Sequence, residues 1–430
     1  MLLEDSDAVE RLAVKQLKQT FAPSGRLFYG WYIVASAGGL QMLASLLWMQ
    51  SYGAYVIFLQ QEFGWSKTLV AGAFALTRIE SGVLGPLQGY WVDRYGPRAI
   101  LRIGVVLFGL GFMAFSQVTN LWTFYAAFAV IAVGSSLGGF ATVMVAIVNW
   151  FDRHRSKAVA FSQVGYAIGG MAVPMVVIAL EAFGWRTTAF YSGVLVILLG
   201  LPMAQMVRHR PSDYGDCVDG LLPEVAAPIT GRENLTDFTA RQAMATSAFW
   251  LISLGHAAAL LTVSAVMVHL VPHLTEGLGF SLSTAALMVT LVTGCQLVGQ
   301  LLGGVLGDRF DKRWICVACM CAHTGGLLIL AFADDWAEVV SFAVLHGFAW
   351  GIRGPLMVAL RADYFGAASF GTIMGFSSLI VMLGMSFGPI IAALFADYFG
   401  NYQIGLTVLA LTALAGSLCF VGARRPVSEG

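Results

Sequence analysis

The chain has 430 residues, 58% of them hydrophobic and only 11% charged, and its formal net charge is zero. Soluble proteins carry about 25% charged residues, so this chain lacks the polar surface needed to face water on all sides. Composition excludes an ordinary soluble domain and points to a polytopic membrane protein.

Residues 1–26 mix acids and bases, with no cleavable signal pattern. Val9, Leu12, Ala13 and Leu17 would share one face of a short interfacial helix, or the segment is a frayed tail. About 20 apolar residues cross the hydrocarbon core, which predicts twelve spans. Six lie at 30–59, 67–91, 99–116, 121–149, 157–181 and 186–207. Six more lie at 247–274, 282–307, 314–333, 337–361, 370–395 and 402–422. Between them 208–246 is polar, with Pro211, Pro223, Pro228, Gly215, Gly220 and Gly231, and reads as a linker. The predicted fold is an all-α membrane protein with twelve transmembrane helices in two pseudo-symmetric six-helix halves. Its parts are an N-terminal tail 1–29, a first half 30–207, the linker 208–246, a second half 247–423 and a C-terminal tail 424–430.

Positive charge sets the orientation. Twenty of the 24 Lys and Arg fall in the N-terminal tail, the loops after spans 2, 4, 8 and 10, the linker and the C-terminal tail. Arg361 is counted there, as the residue following span 10. The opposite side holds only Lys67 and Arg186. Both termini are therefore expected in the cytoplasm, with the protein in the cell (plasma or inner) membrane. Arg78 and Arg353 remain, and both lie within spans. The cysteines at 295, 316, 319, 321 and 419 lie in apolar runs and Cys217 in the linker, so neither a disulfide framework nor a metal site is expected.

The chain repeats itself. Gly89-Tyr-Trp-Val-Asp93-Arg94-Tyr-Gly96-Pro-Arg98 recurs 215 residues later as Gly304-Val-Leu-Gly-Asp308-Arg309-Phe-Asp311-Lys-Arg313. Gly169 and Pro174 of span 5 match Gly384 and Pro389 of span 11 at the same offset. Gly134-x-x-x-Gly138 matches Gly347-x-x-x-Gly351 at offset 213. Both Asp-Arg loops lie on the basic side, so the repeats are parallel, and such halves can rock against each other.

The run from Gly89 to Arg98 resembles the signature G-x-x-x-D-R-x-G-x-R of the major facilitator superfamily. Within that superfamily, Trp150-Phe151-Asp-Arg153-His-Arg155-Ser-Lys-Ala158 with Gly165, and Tyr29-Gly30-Trp31, are similar to the monocarboxylate porter and oxalate–formate antiporter group. That group carries a substrate-binding Arg in span 8, whereas residues 282–307 here contain no Arg and no Asp. The resemblance implies that spans 1, 4, 7 and 10 line a central cavity. It also implies that Asp93, Arg94, Arg98 and their counterparts Asp308, Arg309 and Arg313 latch the cytoplasmic gate.

A charge at a helix centre costs roughly 2.5–3.5 kcal/mol on insertion scales, so intramembrane charges are the first candidates for function. His346, Trp350, Arg353 and Met357 share one face of span 10, and Arg353 offers a planar fork to a carboxylate or holds helix-end carbonyls. Arg78 is a second anion-binding candidate. Glu80 is the candidate proton carrier or a member of a structural network. Gln41, Ser45, Trp48, Tyr52 and Tyr55 form a polar and aromatic stripe on span 1, read as cavity wall or helix-packing glue. His256 in span 7, and Gln296 with Gln300 in span 8, complete the candidate substrate contacts.

These features predict a monomeric secondary transporter for a small organic anion such as a carboxylate, working by alternating access with proton symport or anion exchange. The alternatives are a carrier of another small polar or zwitterionic metabolite and a transporter-like nutrient sensor. The lipid bilayer, the small-molecule substrate and a coupling proton are the expected partners, and no nucleic acid is. No Walker-type loop, paired carboxylates or nucleophile motif supports an ATP-driven pump or an enzyme, and no cofactor is expected.

Overall fold

A computed structural model describes residues 27–65, 67–220 and 237–426. The side chains of residues 53, 57, 67–79, 276, 282, 283 and 286 lie outside the description, as do the expected N-terminal face around Leu12 and most of the linker. Every described element is helical. We number the membrane-crossing units α1 (Tyr29–Phe63), α2 (Lys67–Tyr95), α3 (Pro97–Ser116), α4 (Leu121–Trp150), α5 (Arg155–Phe183), α6 (Trp185–Met206), α7 (Ser247–Pro272), α8 (Leu282–Arg309), α9 (Lys312–Ala331), α10 (Trp336–Phe365), α11 (Phe370–Phe399) and α12 (Gln403–Gly422). Eleven of these are both long and apolar enough to cross a membrane. The other, α2, has 29 residues and spans roughly 44 Å at 1.5 Å per residue.

Local signals set the helix ends. Pro97 starts α3 where its missing N–H costs no bond. Asn120 with Thr123, and Asp335 with Glu338, form capping boxes at the starts of α4 and α10. Gly96 and Gly184, with φ of 82° and 76°, turn the chain between α2 and α3 and between α5 and α6 in a single residue. Several helices outrun their predicted ends: α2 continues to Tyr95, α8 to Arg309 and α10 to Phe365. An apolar-run count marks the hydrocarbon core, whereas these helices carry polar last turns beyond it.

The first half is the more broken one. α1 passes through a π-helical turn at Ser45–Met49. α4 breaks at Gly138–Gly139, and α5 breaks at Ala172 just before Pro174. In the second half α7 ends in a π-helical turn, His273–Gly277, while α8 to α12 run without a break.

The helix contacts follow a pseudo-twofold pattern. α1 packs on α5 as α7 packs on α11, and α3 packs on α6 as α9 packs on α12. Between the halves α2 packs on α11 as α8 packs on α5. Small residues permit these approaches. A Cβ at Gly165 would stand 2.0 Å from the Gly38 carbonyl oxygen, and one at Gly388 would stand 2.0 Å from that of Leu261. One predicted equivalence dissolves: Gly134 and Gly138 lie against α3, but Gly347 and Gly351 lie against α8. The two motifs match in sequence and do different packing.

Candidate functional site

The Lys- and Arg-rich loops gather at one end of the bundle, and there two aspartates join the halves. The Asp93 carboxylate, at the end of α2, accepts hydrogen bonds from Gly371 N (2.9 Å), Thr372 N (2.8 Å) and Thr372 Oγ1 (2.8 Å) at the start of α11. Asp308, at the end of α8, accepts from Ser156 N (2.9 Å) at the start of α5 and lies 3.8 Å from Lys157 Nζ. Each carboxylate thus caps a helix N-terminus of the opposite half, where unpaired amides and the helix dipole favour negative charge. Asp363 of α10 adds a third cross-link, 2.6 Å from Arg155 Nη1 and 2.7 Å from Lys312 Nζ.

The arginines of the repeat do other work. Arg98 Nε donates to Val207 O (2.8 Å) just after α6, and Arg313 Nη1 donates to Ala423 O (3.3 Å) just after α12. Both tie helix ends within their own half. Arg94 donates to Tyr90 Oη (2.6 Å), and Arg309 is exposed. Among the described contacts of the six residues expected at the gate, only those of the two aspartates bridge the halves.

Linker carboxylates serve the same loops. Asp219 accepts from the amides of Arg153 (2.7 Å), Asp152 (3.2 Å) and His154 (3.4 Å). Asp237 accepts from those of Ala367 (2.9 Å) and Ala368 (3.3 Å). The described ends of the linker are therefore pinned at pseudo-equivalent places, one to each half.

The second half contains a buried polar column through α7, α9, α10 and α11. Arg361 Nε donates to Ser377 Oγ (2.9 Å), its Nη1 to Met357 O (2.9 Å) and its Nη2 to His256 Nδ1 (3.0 Å). Because a guanidinium only donates, His256 accepts at Nδ1 and carries its proton on Nε2. Ser253 and Ser377 are 2.8 Å apart. Eight residues up α10, Arg353 is 1% exposed beside Cys316 and Cys319 of α9, and its Nε and Nη1 have no hydrogen-bond partner among the described residues. Further along, His346 Nδ1 meets His323 Nδ1 of α9 at 3.0 Å. No carboxylate lies within 4.0 Å of Arg353 or Arg361 among the described residues.

The other candidates divide. Trp350 packs half-buried in the apolar cluster with Val292 and Phe342. Gln41 Nε2 donates to Ser162 O (3.0 Å) of α5, and Ser45 is buried where Gly169 of α5 approaches. Trp48 and Tyr52 pack tilted and edge-on against Phe128 of α4, at 4.9 and 5.2 Å between ring centroids. The span 1 stripe thus makes packing contacts within the first half in this structure. Gln296 is half-buried, with its carbonyl against Gly351. Gln300 Nε2 reaches Gln163 Oε1 of α5 at 3.5 Å, a contact between halves. Glu80 is half-buried and accepts from Ser81 Oγ (3.1 Å), with Oε1 unpartnered among the described residues. The Arg78 side chain lies outside the described residues.

Sequence reasoning placed Arg361 in a loop, yet it is 2% exposed inside α10. The apolar-run count had ended the helix at the charge itself. It also passed over His323, Asp219, Asp237 and Asp363. A histidine inside an apolar run was the available signal for the first of these; loop acids carry no comparable mark.

Residues 37–254 and 252–430 both match the family model of the Major Facilitator Superfamily. The chain belongs to that superfamily. Among its relatives is the MFS transporter asaE of Aspergillus flavus, 25% identical over 80% of this chain and 75% of that protein. Another is the membrane sensor protein UhpC of Salmonella typhimurium, 24% identical over 77% of this chain and 80% of that one. Among solved structures, the superfamily's proton:xylose symporter XylE superposes with a TM-score of 0.72 at 18% identity, covering 92% of this chain and 96% of XylE. The superfamily fold accounts for the twelve helices and their pseudo-twofold packing.

Proposed function

We propose that this protein is a secondary transporter for a small organic anion carrying a carboxylate, as the resemblance to the monocarboxylate porter and oxalate–formate antiporter group implied. One observation carries this reading: among the described residues Arg353, buried at mid-helix, has two donors without a partner and no carboxylate beside it. An uncompensated guanidinium in the membrane is expensive and marks a substrate pathway, and its fork fits a carboxylate. Arg361, held by the neutral His256 at 3.0 Å, adds a second buried positive charge on the same helix.

The two half-bundles, 30–207 and 247–423, rock about this site. The basic end, with both termini, faces the cytoplasm, and Asp93, Asp308 and Asp363 hold it closed. Breaking those caps lets the basic end open and gives the inward-facing state.

The test is uptake of mono- and dicarboxylates into proteoliposomes. Arg353→Gln should lose roughly 10- to 150-fold in uptake, the equivalent of a charge-assisted hydrogen bond of about 1.5–3 kcal/mol. Its thermal stability should hold or rise, because an unpaired buried charge is removed. Undiminished uptake, or a loss of stability that parallels the loss of uptake, would overturn the reading. The similarity to UhpC favours one alternative, a sensor. A sensor would bind carboxylates without exchanging labelled for unlabelled substrate across the membrane.

A further inference from the structure

We infer that the His323–His346 pair is the proton-carrying site that couples transport to a pH difference across the membrane. The inference rests on an anion binding at Arg353, as proposed above.

The two rings face each other at 4.5 Å between centroids, and both side chains are fully buried. At 3.0 Å, one Nδ1–H donates to the lone pair of the other Nδ1. That bond fixes both tautomers. The accepting ring carries its proton on Nε2, while the donating ring keeps a basic lone pair on Nε2. Neither Nε2 has a partner among the described residues. Two orphaned polar nitrogens cost free energy that apolar side chains of similar size would avoid, so packing does not explain them.

The pair can hold one more proton. It would bind at the free Nε2 of the donating ring, making that ring an imidazolium. Its Nδ1–H then donates a charge-assisted bond to the neutral partner, which is stronger than the original. No other bond forms or breaks, and release returns the proton from the same Nε2.

The surroundings tie this proton to the anion. α10 presents Arg353 on the basic-end side and Phe342 against the His346 ring at 5.3 Å. α9 presents Cys319 and Cys316. α8 presents Cys295 against Gly347 of α10. α12 presents the Ala410 carbonyl, bonded by Thr324. From α7, His256 lies behind Arg361. Among these described neighbours none is a carboxylate. With the site empty, Arg353 opposes a second positive charge on the pair. An anion on Arg353 cancels that opposition, and by linkage the proton strengthens the anion's binding to the same degree.

The pair also lies between two possible sources of protons. At the end opposite the basic one, a polar cleft of about 470 Å³ is lined by His273, Asp334, Asp397 and Tyr402. His273 Nε2 bonds Leu330 O of α9 (3.1 Å), seven residues or roughly 10 Å of helix from His323. On the other side, Arg353 and Arg361 follow along α10, with His256 of α7 bonded to Arg361.

The test uses full-length protein in proteoliposomes clamped at zero membrane potential, with an inside-alkaline pH step and the carboxylates above as probes. For one proton per anion, each pH unit should sustain about tenfold accumulation. His323→Asn and His346→Asn should each lose that accumulation while keeping labelled-for-unlabelled exchange. Wild-type-like accumulation by either histidine variant, or its loss in Glu80→Gln alone, overturns the inference. Failure of wild type to move any carboxylate overturns the substrate reading instead. Nitrogen-15 histidine spectra of the protein in nanodiscs then still decide the proton site: the pair should show a third N–H proton as pH falls from 8 to 5 with a saturating carboxylate probe, and a pair that holds only two at pH 5 refutes it.

Discussion

Replacing Asp93 with Asn tests how the two halves are held together. The native carboxylate accepts three hydrogen bonds at 2.8–2.9 Å from Gly371 and Thr372, and it places a full negative charge on the start of α11. An Asn keeps one acceptor oxygen and loses the charge. A charge-assisted hydrogen bond contributes about 1.5–3 kcal/mol, so the substitution should shift the equilibrium between gate states by roughly 10- to 150-fold toward the one open at the basic end. Because the bonds cross between halves, the folded state of each half should be little affected. Distances between spin labels at the basic end would report the shift as a new, longer population. Labels at the opposite end should move closer together. An unchanged distance distribution at both ends would refute the argument that these capping bonds set the balance.

Two further outcomes follow from packing and charge. Gly89→Ala puts a Cβ 2.0 Å from the Gly371 carbonyl oxygen of the other half, whereas Gly165→Ala puts one 2.0 Å from Gly38 within the same half. The first should open the basic end to thiol reagents at nearly constant melting temperature, and the second should lower the melting temperature; identical behaviour would mean that the halves do not separate there. Burial, with Lys157 and Arg153 nearby, lowers His154 to about 4. The unfolded chain binds that proton near pH 6.5, so stability from this group is complete above pH 6.5 and falls as pH drops toward 4. His154→Gln should flatten the melting-temperature profile between pH 7 and 4.5, and curves parallel to wild type would exclude His154 as its source.

Hydrophobic run length determined the helix count, because the cost of exposing backbone to lipid leaves few structures for an apolar stretch. The internal repeat marked Asp93 and Asp308 for the same reason: equal residues in parallel halves meet equal neighbours under a twofold axis. Arg353 was legible as a lone charge in an apolar helix. Its surroundings were not, since the side of α10 it presents and the helix that covers it depend on how the second half packs.

Contacts between distant elements were decided only in three dimensions. Arg361 looked like a loop charge until its bonds to Ser377 and His256 placed it inside the bundle. The aromatic stripe of α1 left cavity wall and packing open, and only the fold sets its rings against Phe128 of α4. His323 and His346 are 23 residues apart on two helices, and no local pattern pairs them. Local periodicity and repetition by themselves set the spans and marked the two aspartates that join the halves. The polar column arose from helix packing, which brings side chains together across separations that neither run length nor spacing can measure.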